Sequence, residues 1–358
     1  MRLEYKPDFD SVKNAWSAYW EGQIVKRPLV WAQVPRPGKE RGDLSRRYWH
    51  AVHGDFGHVM EQIDLWLEGT EFLGEAIPMA APDFGPDQFA AFFGSDFEFS
   101  DASPDTDWVQ QVIDDWDSFL PMRLDREGKY WKGIIEYSRM LAAHAEGRYL
   151  VSVADLHSNM DALLALRGSE RLCMDFYDHP RQVEEAMRQV RGEYPPVYRA
   201  LFEAGNMGGE RGSAGWAPFW CGGSFATIQC DFLALLSPEI SRRYVIPALE
   251  EEASFLDRCV YHLDGPGCLP HLDDILSLKD IDVIQWVPGA GRPAMHEWMD
   301  VLKRCQDAGK GLQLYDIRDL DTVKKIAREL DPEGLLYSLD VPGREEAIEI
   351  IDWLEKNT

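Results

Sequence analysis

The residues best suited to chemistry are His262 and Asp264, in the run Cys259–Asp264, which is followed by a Gly-Pro-Gly turn. The run favours a β-strand, and side chains two apart on a strand point to the same face. The imidazole and the carboxylate would therefore face the same way at the end of that strand. Such a pair can bind a divalent metal, or it can transfer protons, with the carboxylate fixing the imidazole tautomer. A hydrogen-bonded core histidine is the structural alternative.

The elements around this run alternate between strands and helices. The sequence predicts strands at 29–34, 71–78, 149–156, 222–231, 259–264, 282–287, 311–316 and 335–340, and late helices at 268–278, 293–308, 320–330 and 344–355. Repeating βα units predict parallel strands covered by helices, and eight of them close a (β/α)8 barrel (TIM barrel), an α/β fold. An open doubly wound sheet is the alternative, but the glycine-rich stretch 205–223 lacks the nucleotide-binding spacing.

The remaining segments predict the domain organisation. Residues 1–28 form an N-terminal helical extension with a helix at 10–20, and 29–358 form a single barrel. Residues 95–108 are acidic and are expected to be an exposed insertion. Helices are expected at 108–120 and at 180–204, the second broken near Pro195 and Pro196.

Polar side chains stand at most of the predicted strand ends, where barrels of this kind place their working residues. One such aspartate means little, because Asp commonly starts turns, but several at one mouth predict a site. Arg292 precedes a helix and could clamp a carboxylate or phosphate, although a plain turn is equally compatible. The predicted catalytic residues are Asp155, His157, Asp231 and His262; the predicted substrate-binding residues are Trp286, Tyr315, Asp316 and Arg292; and the predicted metal ligands are His262, Asp264 and Asp340.

Composition excludes some partners. The chain has 358 residues, 45% of them hydrophobic, and a formal net charge of −25 from 37 basic and 62 acidic residues. This charge repels nucleic acid and anionic membrane surfaces. The first residues have no signal-peptide pattern and no run of 18 apolar residues occurs, so a cytoplasmic location is expected. The six cysteines include no Cys-x-x-Cys and are expected to be reduced and buried.

Three segments resemble the uroporphyrinogen decarboxylase superfamily, which contains cobalamin-dependent methyltransferases as well as the haem-pathway decarboxylase. The similar segments are Leu166–Leu172 with Tyr177–Pro180, then Leu236–Pro247, then Tyr261–Gly267, with a weaker trace at Phe84–Pro86. The resemblance implies a (β/α)8 barrel independently of the strand count.

Departures from the family pattern narrow the expected function. The decarboxylase's N-terminal arginine-rich signature is absent, and Asp231 stands where that enzyme has a serine. An acidic mouth would repel the acidic arms of a tetrapyrrole, so uroporphyrinogen decarboxylation is not expected. The methyltransferase branch binds zinc through His-x-Cys and a later cysteine. Here His262 matches the histidine, Asp264 replaces the first cysteine and Asp340 falls near the last, which implies a harder metal or none.

The resemblance therefore implies methyl transfer with cobalamin carried on a corrinoid protein partner. The substrate would be a methylated or oxygenated small molecule gripped by aromatic side chains such as Trp286 and Tyr315. A decarboxylase or lyase of a small carboxylate or polyol, using Asp and His as acid and base in a closed pocket, is the first alternative. A binding protein on a degenerate barrel is the second. Such barrels occur as homodimers and as partners of corrinoid modules, and both arrangements stay open.

Overall fold

A computed structural model describes the whole chain, residues 1–358. The strands are β1 Leu29–Pro35, β2 Thr70–Gly74, β3 Met79–Ala80, β4 Phe97–Ser100, β5 Ser103–Val109, β6 Leu150–Val151, β7 Ser213–Ala214, β8 Trp220–Cys221, β9 Phe225–Gln229, β10 Arg258–Asp264, β11 Val283–Val287, β12 Gly311–Ile317 and β13 Leu335–Leu339. The helices are α1 Phe9–Trp20, α2 Arg47–Val52, α3 Phe56–Glu68, α4 Gln88–Ala91, α5 Trp116–Phe119, α6 Lys129–Ala145, α7 Asn159–Arg167, α8 Ser169–Asp178, α9 Pro180–Ala204, α10 Pro238–Tyr244, α11 Ile246–Phe255, α12 Leu272–Leu276, α13 Met299–Asp307, α14 Leu320–Ile326 and α15 Arg344–Asn357. Short 3-10 helices cover Asp231–Leu235, Pro266–His271 and Met295–Glu297.

A seven-stranded sheet forms the centre of the molecule, in the order β2-β1-β13-β12-β11-β10-β9. Every neighbouring pair in it is parallel except β1 and β2. The first and last long strands of the chain are thus neighbours. β3 and β6 form a separate parallel pair, whereas β4–β5 and β7–β8 are antiparallel hairpins. The mixed α/β class with a parallel sheet is confirmed.

Both faces of the parallel strands are covered, as parallel sheets require. All five residues of β9 are buried, and one hydrophobic cluster of 101 residues joins the strands to the helices. The N-terminal helix belongs to this core, because the Trp16 ring packs against Trp31 and Phe219 at centroid distances of 6.3 and 5.7 Å. None of the helices is both long enough and apolar enough to cross a membrane.

One sequence prediction between residues 95 and 120 is wrong. The region predicted to be a helix at 108–120 begins as the end of β5, and only Trp116–Phe119 is helical. The acidic segment is the β4–β5 hairpin, and most of its residues are exposed or half-buried, but Asp107 is 1% exposed and so is not a solvated charge. The long helix α9 also continues through Pro195 and Pro196, because packing of its apolar face outweighs the lost hydrogen bonds.

Candidate active site

One layer of polar side chains crosses the parallel strands. Gln229 of β9, His262 of β10, Gln285 of β11 and Gln313 of β12 are register partners in turn. Register partners on neighbouring strands point to the same face, so these four side chains meet. The layer lies just before the carboxyl ends of the strands.

Hydrogen bonds along this layer fix the proton on His262. Gln313 Nε2 donates to Ser338 Oγ at 3.1 Å, and Gln285 Nε2 donates to Gln313 Oε1 at 2.7 Å. Gln285 therefore presents its carbonyl oxygen, Oε1, to His262 Nδ1. Nδ1 must carry the hydrogen of this bond, which leaves Nε2 as the ring nitrogen that can bind a metal.

The predicted His262 and Asp264 lie together with Asp231, and their ligand atoms are within 4.8 Å of one another. Asp231 sits at the start of the 3-10 helix after β9, and its buried Oδ1 has no hydrogen-bond partner. Burial and the charge of Asp231 raise the pKa of the Asp264 carboxyl. Two carboxylates and one imidazole form a donor set that suits zinc and harder divalent ions.

Asp340 lies outside this group. It follows the end of β13, its side chain is 69% exposed, and its carboxylate is 3.4 Å from Arg318 Nε. The second carboxyl of the set comes instead from Asp231, which the sequence had indicated as a catalytic residue. Asp231 is the better placed because β9 is the direct neighbour of β10.

Asp231 is held in place by Asp161. The Asp161 carboxylate accepts the backbone N–H groups of Asp231 at 2.8 Å and Phe232 at 3.0 Å, which caps the 3-10 helix there. Asp161, His157 and Asp231 also satisfy the distances of a metal site. The Asp161 oxygens are already committed to backbone donors, however, so we assign Asp161 a positioning role.

Asp155 and His157, both predicted from a strand end, form a charged pair. His157 Nε2 lies 3.3 Å from Asp155 Oδ2 and also contacts the Gln229 amide. Burial alone would lower the pKa of the His157 imidazole, but the neighbouring carboxylates, Asp155 first among them, raise it to about 10. With this pKa, the His157 imidazole is protonated at neutral pH. It can therefore donate a proton beside the group formed by Asp231, His262 and Asp264, the metal-type group.

Besides Asp161, three carboxyl groups of the site were not predicted. Asp83 and Asp87 lie in the loop before α4, and Asp107 lies at the end of β5. Neither oxygen of the buried Asp107 has a hydrogen-bond partner, and burial together with Asp83 and Asp87 raises its pKa to about 9. Gly85 allows this approach, because a Cβ there would lie 1.7 Å from Asp107 Oδ2. The only sequence signal was the weak Phe84–Pro86 trace.

The four predicted substrate-binding residues are scattered. Tyr315 is partly buried near the metal-type group. Burial and the neighbouring charges of Asp316 and Asp264 raise its pKa to about 12. Asp316 is exposed and pairs with Arg318 at 2.7 Å, and Arg292 is exposed in its loop. Trp286 is fully buried and packs edge-on against Trp298. It points away from the mouth because its strand neighbour Gln285 occupies the polar layer.

Two cavities flank the Asp155–His157 pair. The larger, about 860 Å³, is lined by His157, Asp161, Asp231, Asp107 and exposed Trp108 among others. The smaller, about 260 Å³, is mainly apolar and includes Asp155 in its wall. The pair therefore separates a polar opening from an apolar chamber.

Comparison with known proteins gives a match at the level of structure but not of sequence family. No protein-family model matches the chain, and no curated protein sequence does. Among solved structures, the chain is similar to a methyltransferase from Methanosarcina mazei with a TM-score of 0.60, at 11% sequence identity. The superposition covers 96% of this chain and 98% of that chain. At this identity the likeness establishes a shared fold over nearly the whole length.

Proposed function

We propose that the protein is a methyltransferase on a (β/α)8 barrel like that of the uroporphyrinogen decarboxylase superfamily, with a divalent metal bound by Asp231, His262 and Asp264. The group formed by these three side chains is the observation that carries the proposal. The fold shared with a methyltransferase supports it. β1 and β9–β13 are parallel in the central sheet, and β3 and β6 form a separate parallel pair; together they would give the eight strands of such a barrel, with the group at the carboxyl ends of β9 and β10.

The side chains have separate tasks in this proposal. Asp231 and Asp264 would hold the metal with His262 Nε2, while the hydrogen bond to Gln285 keeps His262 in the right tautomer. A divalent ion bound there would polarise an oxygen or nitrogen of the substrate. His157 holds a proton beside the group and can give it to a leaving heteroatom.

The corrinoid partner belongs to the proposal as well. The larger cavity of about 860 Å³ opens next to Asp231, so a methyl-carrying cofactor presented by a partner could approach the metal-type group from that side. The smaller cavity would then hold the small molecule on the other side of Asp155.

A metal-free lyase or decarboxylase is the second candidate. It is favoured by the cluster of carboxyl groups with raised pKa values beside an imidazolium, since pairs of groups whose environments separate their pKa values are typical acid and base sets. Asp107, at about 9, would be the acid, and Asp155 would orient His157.

Metal content after loading with Zn²⁺, Mn²⁺ or Fe²⁺ in turn, followed by desalting, tests the two candidates. For at least one ion we expect about one equivalent per wild-type chain, with loss of binding in His262→Ala and Asp264→Ala. Asp340→Ala is the matched control, because Asp340 lies outside the group and should leave the metal content unchanged. If wild type binds none of these ions, the metal-dependent methyltransferase is refuted and the lyase is preferred.

Activity is the second arm of the test. Transfer of a methyl group from a small methylated donor to cob(I)alamin gives methylcob(III)alamin and the demethylated donor, a change visible by absorbance. We expect turnover with the metal-loaded wild type and Asp340→Ala, and none with His262→Ala. Equal turnover in all three proteins would remove the metal group from the reaction.

A further inference from the structure

The smaller cavity has aromatic walls drawn from separate parts of the fold. Tyr48 of α2, Trp66 of α3, Tyr137 of α6 and Trp216 of the β7–β8 turn all line it. Ten of its 15 lining residues are hydrophobic, and the volume of about 260 Å³ suits a molecule of amino-acid size. Aromatic faces attract organic cations through their quadrupoles, most strongly where water is excluded.

Two carboxylates stand in the same wall. Asp155 presents a buried Oδ1 that has no hydrogen-bond partner. Asp83 is 6% exposed, and both hydrogen bonds to its side chain, from Gly85 N–H and Gln88 Nε2, are accepted by Oδ1, which leaves Oδ2 with none. A buried carboxylate without a donor is costly unless a cation reaches it.

An unpaired guanidinium completes the wall. Arg47 lies over the Tyr48 ring at 4.2 Å and donates to the Tyr48 hydroxyl at 2.5 Å, but it makes no ion pair with any carboxylate. Arg guanidinium groups bind carboxylates in a bidentate fashion. The cavity therefore offers a partner for an anionic group and, separately, partners for a cationic group.

We propose that this cavity binds a small zwitterion, with its methylated ammonium group among the aromatic rings beside Asp83 and Asp155 and its carboxylate on Arg47. A simple cation would face Arg47 and a simple anion would face the two aspartates, whereas a zwitterion places an opposite charge against each of them. The inference rests on the proposed methyl transfer only for the methyl groups on the nitrogen.

The cavity also adjoins the metal-type group. The Trp216 ring that lines it meets the His262 ring edge-on, with centroids 5.2 Å apart. Asp155 in the same wall contacts His157. A methyl group on the bound nitrogen would thus lie one side chain from the polar layer, which makes the cavity the substrate side of the site.

Calorimetric titration of metal-free wild-type protein tests the inference without any need for turnover. Glycine betaine carries both charges, choline lacks the carboxylate, and 3,3-dimethylbutanoate has the shape and carboxylate of betaine without its positive charge. We expect betaine to bind at least about tenfold more tightly than either analogue, since each loses one charged contact. The proposal is overturned if betaine does not bind, or if either analogue binds as tightly as betaine.

Two variants locate the contacts. Arg47→Gln should weaken betaine binding but not choline binding, and Asp155→Asn should weaken betaine and choline but not 3,3-dimethylbutanoate. Asp340→Asn is the control, with unchanged affinity for all three. If betaine binds but the protein transfers no methyl group to cob(I)alamin, the proposed function is refuted and this inference stands. If methyl groups are transferred from other donors and betaine does not bind, this inference is refuted and the proposed function stands.

Discussion

Asp107→Asn is expected to stabilise the protein, and the gain is expected to grow with pH. The folded carboxyl has a pKa of about 9, raised by burial and by Asp83 and Asp87, whereas an unfolded Asp titrates near pH 3.9. Between these values the unfolded state releases a proton that the folded state keeps. The free energy of unfolding of wild type therefore falls as pH rises from about 4 to about 9.

The magnitude follows from the pKa difference. Each pH unit in that window corresponds to about 1.4 kcal/mol, so three units from pH 5 to pH 8 give an upper limit of about 4 kcal/mol. Structural relaxation and water entry reduce this value, and we expect a net difference of about 1–3 kcal/mol. Asn keeps the shape of the protonated acid but has no proton to lose, so its variant lacks this slope.

Urea unfolding of both proteins at pH 5 and pH 8 measures the effect. The gain in stability from Asp107→Asn should be small at pH 5 and about 1–3 kcal/mol larger at pH 8. Asp105→Asn is the matched control, because Asp105 is exposed on the same strand and should show no pH-dependent gain. An Asp107→Asn gain that is equal at both pH values, or a loss at pH 8, refutes a buried protonated Asp107.

Three further predictions follow from the same geometry. Gln285→Leu should lower metal affinity by about 10–100-fold in a chelator competition, because His262 loses the acceptor for Nδ1–H; unchanged affinity would contradict the tautomer assignment. Glu252→Gln should flatten the fall in unfolding free energy between pH 5 and pH 8, since burial raises the pKa of Glu252 to about 8; an unaltered slope would contradict that shift. Gly85→Ala should lower unfolding free energy by about 1–3 kcal/mol, because its φ is +112° and its Cβ would meet Asp107; a neutral result would mean that the carboxyl moves freely.

The late strands could be predicted closely from the sequence. The run predicted at 259–264 is β10 Arg258–Asp264, and that at 282–287 is β11 Val283–Val287. Buried parallel strands read as short, nearly continuous apolar runs between helices, so the signal is local. The same reasoning placed His262 and Asp264 side by side, as they are in the structure.

The polar layer could not be predicted, because it depends on register. Gln229, Gln285 and Gln313 each look like isolated polar residues in apolar strands. Only the pairings of β9 with β10, β10 with β11 and β11 with β12 bring them into line with His262. The same register sends Trp286 to the opposite face, which the strand pattern alone did not reveal.

Residues contributed by loops and hairpins were also beyond local reasoning. Asp107 looked like one more acidic residue in a polar segment, but a hairpin folds it over Gly85 into the mouth. Asp231 and Asp340 both follow strands and could not be ranked by spacing. The cap from Asp161, 70 residues away, turns Asp231 inward, whereas Arg318 draws Asp340 toward solvent.

The charge of the mouth connects the two proposed ligands. Carboxyl groups with raised pKa values crowd around the two cavities, whereas His157 and Arg47 are the basic side chains in their walls. Such a cluster destabilises the fold as its members ionise, so any cation that binds there stabilises the native state, by about 2.7 kcal/mol at 100 times its Kd. A metal at Asp231 and an ammonium group at Asp155 would each relieve part of the same repulsion. Each cation should therefore bind less tightly when the other is already bound. Both should also lose affinity as the carboxyls protonate at low pH.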